Sequence, residues 1–150
     1  MIPPTPDDLH TTLVLHRTFA ATRPRVFRAW IDPEALERWL KPNGWSLRVR
    51  SLDARVDGSF RFDLDNGVTI VGTYLDLVPL EKLVFTWLNE AQPEQGTVVT
   101  VDFLEQGSST EVVLTHTRLS QPDLRARVEG GWRAALDALD EILSVSDLES

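Results

Sequence analysis

Two spacings alternate along the chain: apolar residues at every second position, the signature of half-buried strands, and at every third or fourth, the signature of helices. Residues 11–19 belong to the first kind, with Leu13, Leu15, Arg17 and Phe19 on one face and Val14 and His16 on the other. Ala21-Thr22-Arg23-Pro24 then starts a helix, with Thr22 as cap and Pro24 in the first turn; Val26, Phe27 and Trp30 form its apolar stripe. Asp32-Pro33-Glu34 repeats the start signal, Ala35, Leu36, Trp39 and Leu40 share a face, and Pro42-Asn43-Gly44 ends the segment.

From 45 to 118 the period is two. Strands are predicted at 45–51, 59–64 (Phe60, Phe62 and Leu64 on one side), 68–78, 83–88 (Leu83, Phe85, Trp87), 97–104 (Val99, Val101, Phe103) and 110–118 (Val112, Leu114, His116). Asn66-Gly67 between the second and third of these is a strong hairpin signal. The period returns to that of a helix after Ser120-Gln121-Pro122-Asp123, a capping box with Asp in place of Glu. Leu124, Val128, Trp132, Leu136, Leu139 and Leu143 follow at three- and four-residue spacing. Inside that pattern Gly130-Gly131 breaks a rule, since glycine in a helix costs about 1 kcal/mol relative to alanine. The pair either divides a short helix from the main one or lets the backbone approach the sheet or a ligand beside Trp132.

The order is therefore β-α-α-β6-α. Strands joined by short turns form an antiparallel meander, and the terminal helix is the only element large enough to cover one face of it. The fold class is α+β: a curved antiparallel sheet wrapped around a long C-terminal helix. A flexible, Pro-rich leader occupies 1–10, a single domain 11–143 and a frayed tail 144–150. A length of 150 residues suits one domain.

Composition narrows the function. Fifteen Lys and Arg against 23 Asp and Glu give a net charge of −8, which repels phosphate backbones and anionic bilayers, so neither nucleic acid nor membrane is an expected partner. The absence of cysteine removes disulfides, thiolate chemistry and Cys-ligated metals and fits a reducing cytoplasm, the expected location. The three His residues are scattered, with no HxH or HxxxH spacing, and there is no Gly-rich phosphate loop. Asp63-Leu64-Asp65-Asn66-Gly67 only faintly resembles a calcium loop and reads better as a turn. No metal and no cofactor is called for.

Several stretches taken together resemble a known family. They are 17–24 (RTFAATRP), 26–30 (VFRAW), Asp32-Pro33-Glu34 with Trp39, 56–60 (VDGSF), 72–75 (GTYL), 79–87 (PLEKLVFTW), Thr115-His116-Thr117 and Gly131-Trp132. Their ordered set is similar to the bacterial single-domain branch of the family named after the activator of the ninety-kilodalton heat-shock chaperone ATPase. That family lies within the SRPBCC superfamily beside START domains, the birch-pollen allergen and polyketide cyclases. The resemblance covers about 11–143 and implies a helix-grip fold, an apolar ligand-binding cavity and a link to the stress response. It matches only the C-terminal domain of the eukaryotic two-domain activator, so cochaperone activity is not carried over without a test.

The ligand-facing candidates follow from the strand faces, the helix stripe and the resemblance: Trp39, Phe60, Phe62, Tyr74, Phe85, Trp87, Val101, Phe103, His116, Gly131, Trp132 and Leu136. Most such residues simply fill a core; those at the open end, expected near Trp39 and Gly130-Gly131, would line a pocket. His116 is either a hydrogen-bonded core residue or a group that orients a ligand or accepts a proton. Tyr74 and Asp76 share strand parity, with their direction left open. Arg17 either pairs with an acid such as Glu129 or Asp76 or anchors an anionic head group. Three functions are then distinguishable. The leading one is a module binding a small hydrophobic or amphipathic molecule. The others are an enzyme of cyclase or hydrolase type, which needs converging polar groups, and a protein-interaction module, with a chaperone among its partners, which needs an exposed docking patch. Catalytic residues are not assigned, and the chain is expected as a monomer or homodimer.

Overall fold

An alternating sheet with one apolar face and a helix with one apolar stripe can bury both only against each other. The computed structural model describes residues 12–41, 44–92, 96–119 and 122–149 and has that arrangement. Its elements are β1 (Leu13–Phe19), α1 (Arg23–Ile31), α2 (Pro33–Trp39), β2 (Leu47–Leu52), β3 (Ser59–Leu64), β4 (Thr69–Val78), β5 (Lys82–Asn89), β6 (Thr97–Gln106), β7 (Ser109–Thr117) and α3 (Pro122–Glu149). The strands form one sheet in the order β1-β7-β6-β5-β4-β3-β2, antiparallel at every pairing. β2 to β7 are the expected meander; β1 adds itself to the β7 edge. The fold is the α+β helix-grip arrangement. The leader at 1–10 and the capping Ser120 lie outside the described residues.

The register aligns the buried side chains into rows. Leu13, His116, Val99, Phe85 and Tyr74 stand opposite one another across five strands, as do Leu15, Leu114, Val101 and Leu83 across four. All nine are buried. α3 lays Trp132, Ala135, Leu136, Leu139 and Leu143 over them. α1 and α2 close one flank, where Trp30 packs on Trp39 with ring centres 4.6 Å apart and on Trp132 at 6.0 Å.

The local signals act through their own chemistry. Asp32 Oδ1 accepts the backbone N–H of Glu34 at 3.1 Å, capping α2 ahead of Pro33. Thr22 precedes α1 in extended backbone, but its side chain makes no capping bond; the fixed φ of Pro24 starts that helix without it. Gly67 takes the left-handed region in the β3–β4 turn (φ 88°), and Asn66 Oδ1 accepts from Val68 N at 3.0 Å.

Three features depart from the expected pattern. Trp45 precedes β2 instead of beginning it and is 45% exposed. α3 runs unbroken through Gly130-Gly131, because tertiary burial of its stripe outweighs the glycine penalty. Nothing lies within 4 Å of a Cβ placed at Gly130, so that residue has no close approach to make. α3 extends to Glu149, through the stretch from 144 that is expected as a tail.

Candidate functional site

The centre of the site is a chain of hydrogen bonds buried under α3. An indole N–H can only donate, so the Trp132 Nε1–H bond to His116 Nδ1, 3.0 Å long, makes that nitrogen an acceptor. The proton of the neutral ring therefore sits on Nε2, which donates to Thr97 Oγ1 at 2.7 Å. The Thr97 hydroxyl in turn donates to the backbone carbonyl of Trp87 at 2.8 Å. Every donor in the series has an acceptor. Burial pushes the imidazole pKa down to about 4, and protonation would place a second N–H on Nδ1 facing the indole N–H.

A hollow of about 100 Å³ opens beside this relay, between α3 and the sheet. Its walls are mostly apolar: Trp87, Val128, Gly131, Trp132 and Ala135, with Leu40 from the end of α2, and His116 and Arg127 as the polar elements. It shares Trp87, His116, Arg127 and Val128 with a wider, wetter cleft of about 720 Å³ that reaches out past Thr97, Leu119 and Leu124 to Asn89, Leu64 and the exposed Trp45. On α3 the lining positions 127, 128, 131, 132 and 135 lie on one helical face.

Of the candidates named from sequence, Trp87, His116, Gly131 and Trp132 stand together on the hollow. Trp39, Phe60, Phe62, Tyr74, Phe85, Val101, Phe103 and Leu136 are packed in the core, each under a tenth exposed, and none of them lines the hollow or the cleft. Trp39 is anchored behind the site by its Nε1–H bond to Ala29 O at 2.9 Å. The hollow is lined by Leu40, which follows Trp39, and by Gly131, while the wider cleft runs along the β5–β6 end of the sheet and the first turns of α3. Thr97, Arg127 and Val128 were not among the candidates. Thr97 shares parity with Val99 and Val101, so its inward direction is readable; its bond to His116 is not.

The remaining polar candidates separate. Tyr74 points inward, its phenol pKa pushed up to about 12 by burial and secondarily by the charge of Asp53. Asp76 is exposed: a bulge between the pairs Tyr74–Phe85 and Asp76–Val84 inserts one residue and reverses the alternation. Arg17 pairs with Asp137 of α3 at 2.8 Å, not with Glu129 or Asp76. His116 is thus bonded to Thr97 and Trp132 and to none of Tyr74, Asp76 or Arg17. Among the described residues no three or more His, Asp or Glu side chains gather to hold a metal, and no helix is long and apolar enough to cross a membrane.

The family model described as Activator of Hsp90 ATPase homolog 1-like protein matches residues 20–144. The chain is similar in structure to the protein CV1439 of Chromobacterium violaceum, with a TM-score of 0.78, 26% identity, and 89% of this chain and 96% of that one covered. It is similar to the protein NE0264 of Nitrosomonas europaea, with a TM-score of 0.75, 24% identity and coverage of 95% and 99%. A protein from Arthrobacter aurescens shares the fold with a TM-score of 0.79, 21% identity and coverage of 93% and 90%. No curated protein matches the sequence.

Proposed function

The chain belongs to the Activator of Hsp90 ATPase homolog 1-like family, and from that premise we propose that it is a cytoplasmic module that binds a small, mostly apolar molecule without transforming it. The observation that carries this reading is the apolar hollow under α3, lined by Trp132 and Ala135 and sharing Trp87, His116, Arg127 and Val128 with a wider cleft. Concave, mainly apolar sites with a few placed polar groups are what small-molecule binding requires. Turnover has less support. His116, the group best suited to acid–base work, has both ring nitrogens committed and is held neutral, and no carboxylate stands on the walls among the described residues.

The family's description gives contact with the heat-shock chaperone a second standing. The large apolar side chains left exposed among the described residues are Val14, Trp45, Val56, Leu75 and Leu104; the Asp57 N–H bond to Tyr74 O at 2.8 Å brings the Val56 loop beside the Leu75 strand, and a chaperone contact would draw on such residues. A pull-down with the chaperone at low salt tests this alternative; clear retention would support it.

The test of the main reading is tryptophan fluorescence against a panel of small apolar and amphipathic compounds. It compares the native chain with Val128→Trp, a half-buried rim position where a large ring plugs the opening. At least one compound should shift the emission saturably in the native chain and not in the plugged one. No saturable response to any compound, or an equal response in both, would remove the proposal.

A further inference from the structure

Arg127 stands on the rim shared by the hollow and the cleft. It is exposed and, among the described residues, makes no hydrogen bond or ion pair, unlike its neighbours on the same helix. Arg125 donates from Nε to Thr12 O at 3.0 Å and lies 3.5 Å from Glu129, and Arg133 bonds Glu129 at 2.9 Å. The walls around Arg127 are charge-selective. In a chain with 23 Asp and Glu against 15 Lys and Arg, the described lining of both hollows holds no Asp or Glu, and Arg127 is its one permanent charge. His116 beside it is neutral, and Asn66, Asn89 and Gln92 in the outer cleft add uncharged polar groups.

We infer that the ligand is an amphipathic monoanion, with its carboxylate-like head on the Arg127 guanidinium and its apolar body directed inward toward Trp132 and Ala135. The inference rests on the proposed function and specifies its ligand class. A planar guanidinium fork matches a carboxylate in shape as well as charge, and one cation without a second balances one negative charge. From Arg127 to Ala135 the helix rises about 12 Å, which sets the depth available to the apolar body. The inner end, about 100 Å³, is smaller than the roughly 150 Å³ that accepts a benzene ring, so a slender chain suits it better than a fused ring system.

The test uses three probes with one alkyl chain and different heads: decanoate, decanol and decyltrimethylammonium, titrated below their aggregation limits. Decanoate should bind the native chain about two- to fivefold tighter than decanol, with the ammonium weakest and the gap narrowing as salt is added. Arg127→Lys should keep most of the preference, Arg127→Ala should abolish it, and Arg127→Glu should place the ammonium ahead of decanoate. Because Arg127 is exposed, all three variants keep the native melting temperature. Equal affinity for the three heads, or an order unchanged in Arg127→Glu, would overturn the inference while leaving the binding module intact. Failure of all three probes to bind would overturn the inference, and the wider compound panel would then decide the binding module separately.

Discussion

His116 makes the fold acid-sensitive in a defined window. Its pKa falls from 6.5 to about 4 on folding because the buried ring loses hydration. Between those values the unfolded chain holds a proton on this residue that the folded chain does not. Stability therefore rises with pH across the window and is lost as pH falls through it. At about 1.4 kcal/mol per tenfold, the full loss is about 3 kcal/mol. The control is His116→Gln, whose amide can accept from Trp132 and donate to Thr97 but does not titrate. Urea unfolding of both chains, followed by tryptophan emission from pH 7.5 to 4, gives a difference curve in which the other carboxylates largely cancel. The native chain should lose about 3 kcal/mol more than the variant between about pH 6.5 and 4, and no more below. A difference independent of pH, or one in which acid favours the native chain, would refute the assignment of a neutral, fully bonded imidazole.

Two buried indoles should respond differently to the same substitution. Trp39→Phe breaks the bond to Ala29 O and leaves that carbonyl unpaired, whereas Trp30 Nε1 has no acceptor among the described residues. Thermal melts should show Trp39→Phe the more destabilising of the two by about 1–3 kcal/mol. Gly130→Ala places its methyl in open space inside α3 and should raise stability by about 0.5–1 kcal/mol. Gly72→Ala drives a methyl into Thr86 O and the Phe60 ring and should cost about 1–3 kcal/mol; the two melts check both signs. Tyr74 is the one tyrosine in the chain, so ultraviolet titration of the folded protein reads it alone and should find ionisation near pH 12 instead of 10. Since the folded state then keeps the proton longer, stability should fall as pH rises through that interval.

The sequence made the order of elements readable because each carries its own periodicity and punctuation: the alternation of 59–64, the Asn66-Gly67 turn, the Asp32-Pro33 start and the stripe from Leu124 to Leu143. What parity cannot report is depth. Phe60, Phe62, Phe85 and Phe103 point inward as their alternation says, yet they sit where sheet and helices meet closely, and only Trp87 and His116, near the strand ends, reach the hollow. Parity also assumes unbroken pairing, and the bulge after Tyr74 turned Asp76 outward against it. Partners far along the chain were illegible for a different reason. Arg17–Asp137 and the series Trp132–His116–Thr97 depend on how α3 is rotated over the sheet. Arg127 carries no strand parity and lies beside the helix stripe, so its place on the rim emerges only from the packing.

The account turns on whether the space under α3 admits an apolar body beside Trp132. Nitrogen-15 labelling of the tryptophans gives each indole N–H its own resonance. Titration with decanol should shift the signals of Trp132 and Trp87 saturably, while that of Trp39, fully buried and bonded to Ala29 O, stays in place. Unmoved Trp132 and Trp87 signals, or a uniform drift of every indole without saturation, would contradict it.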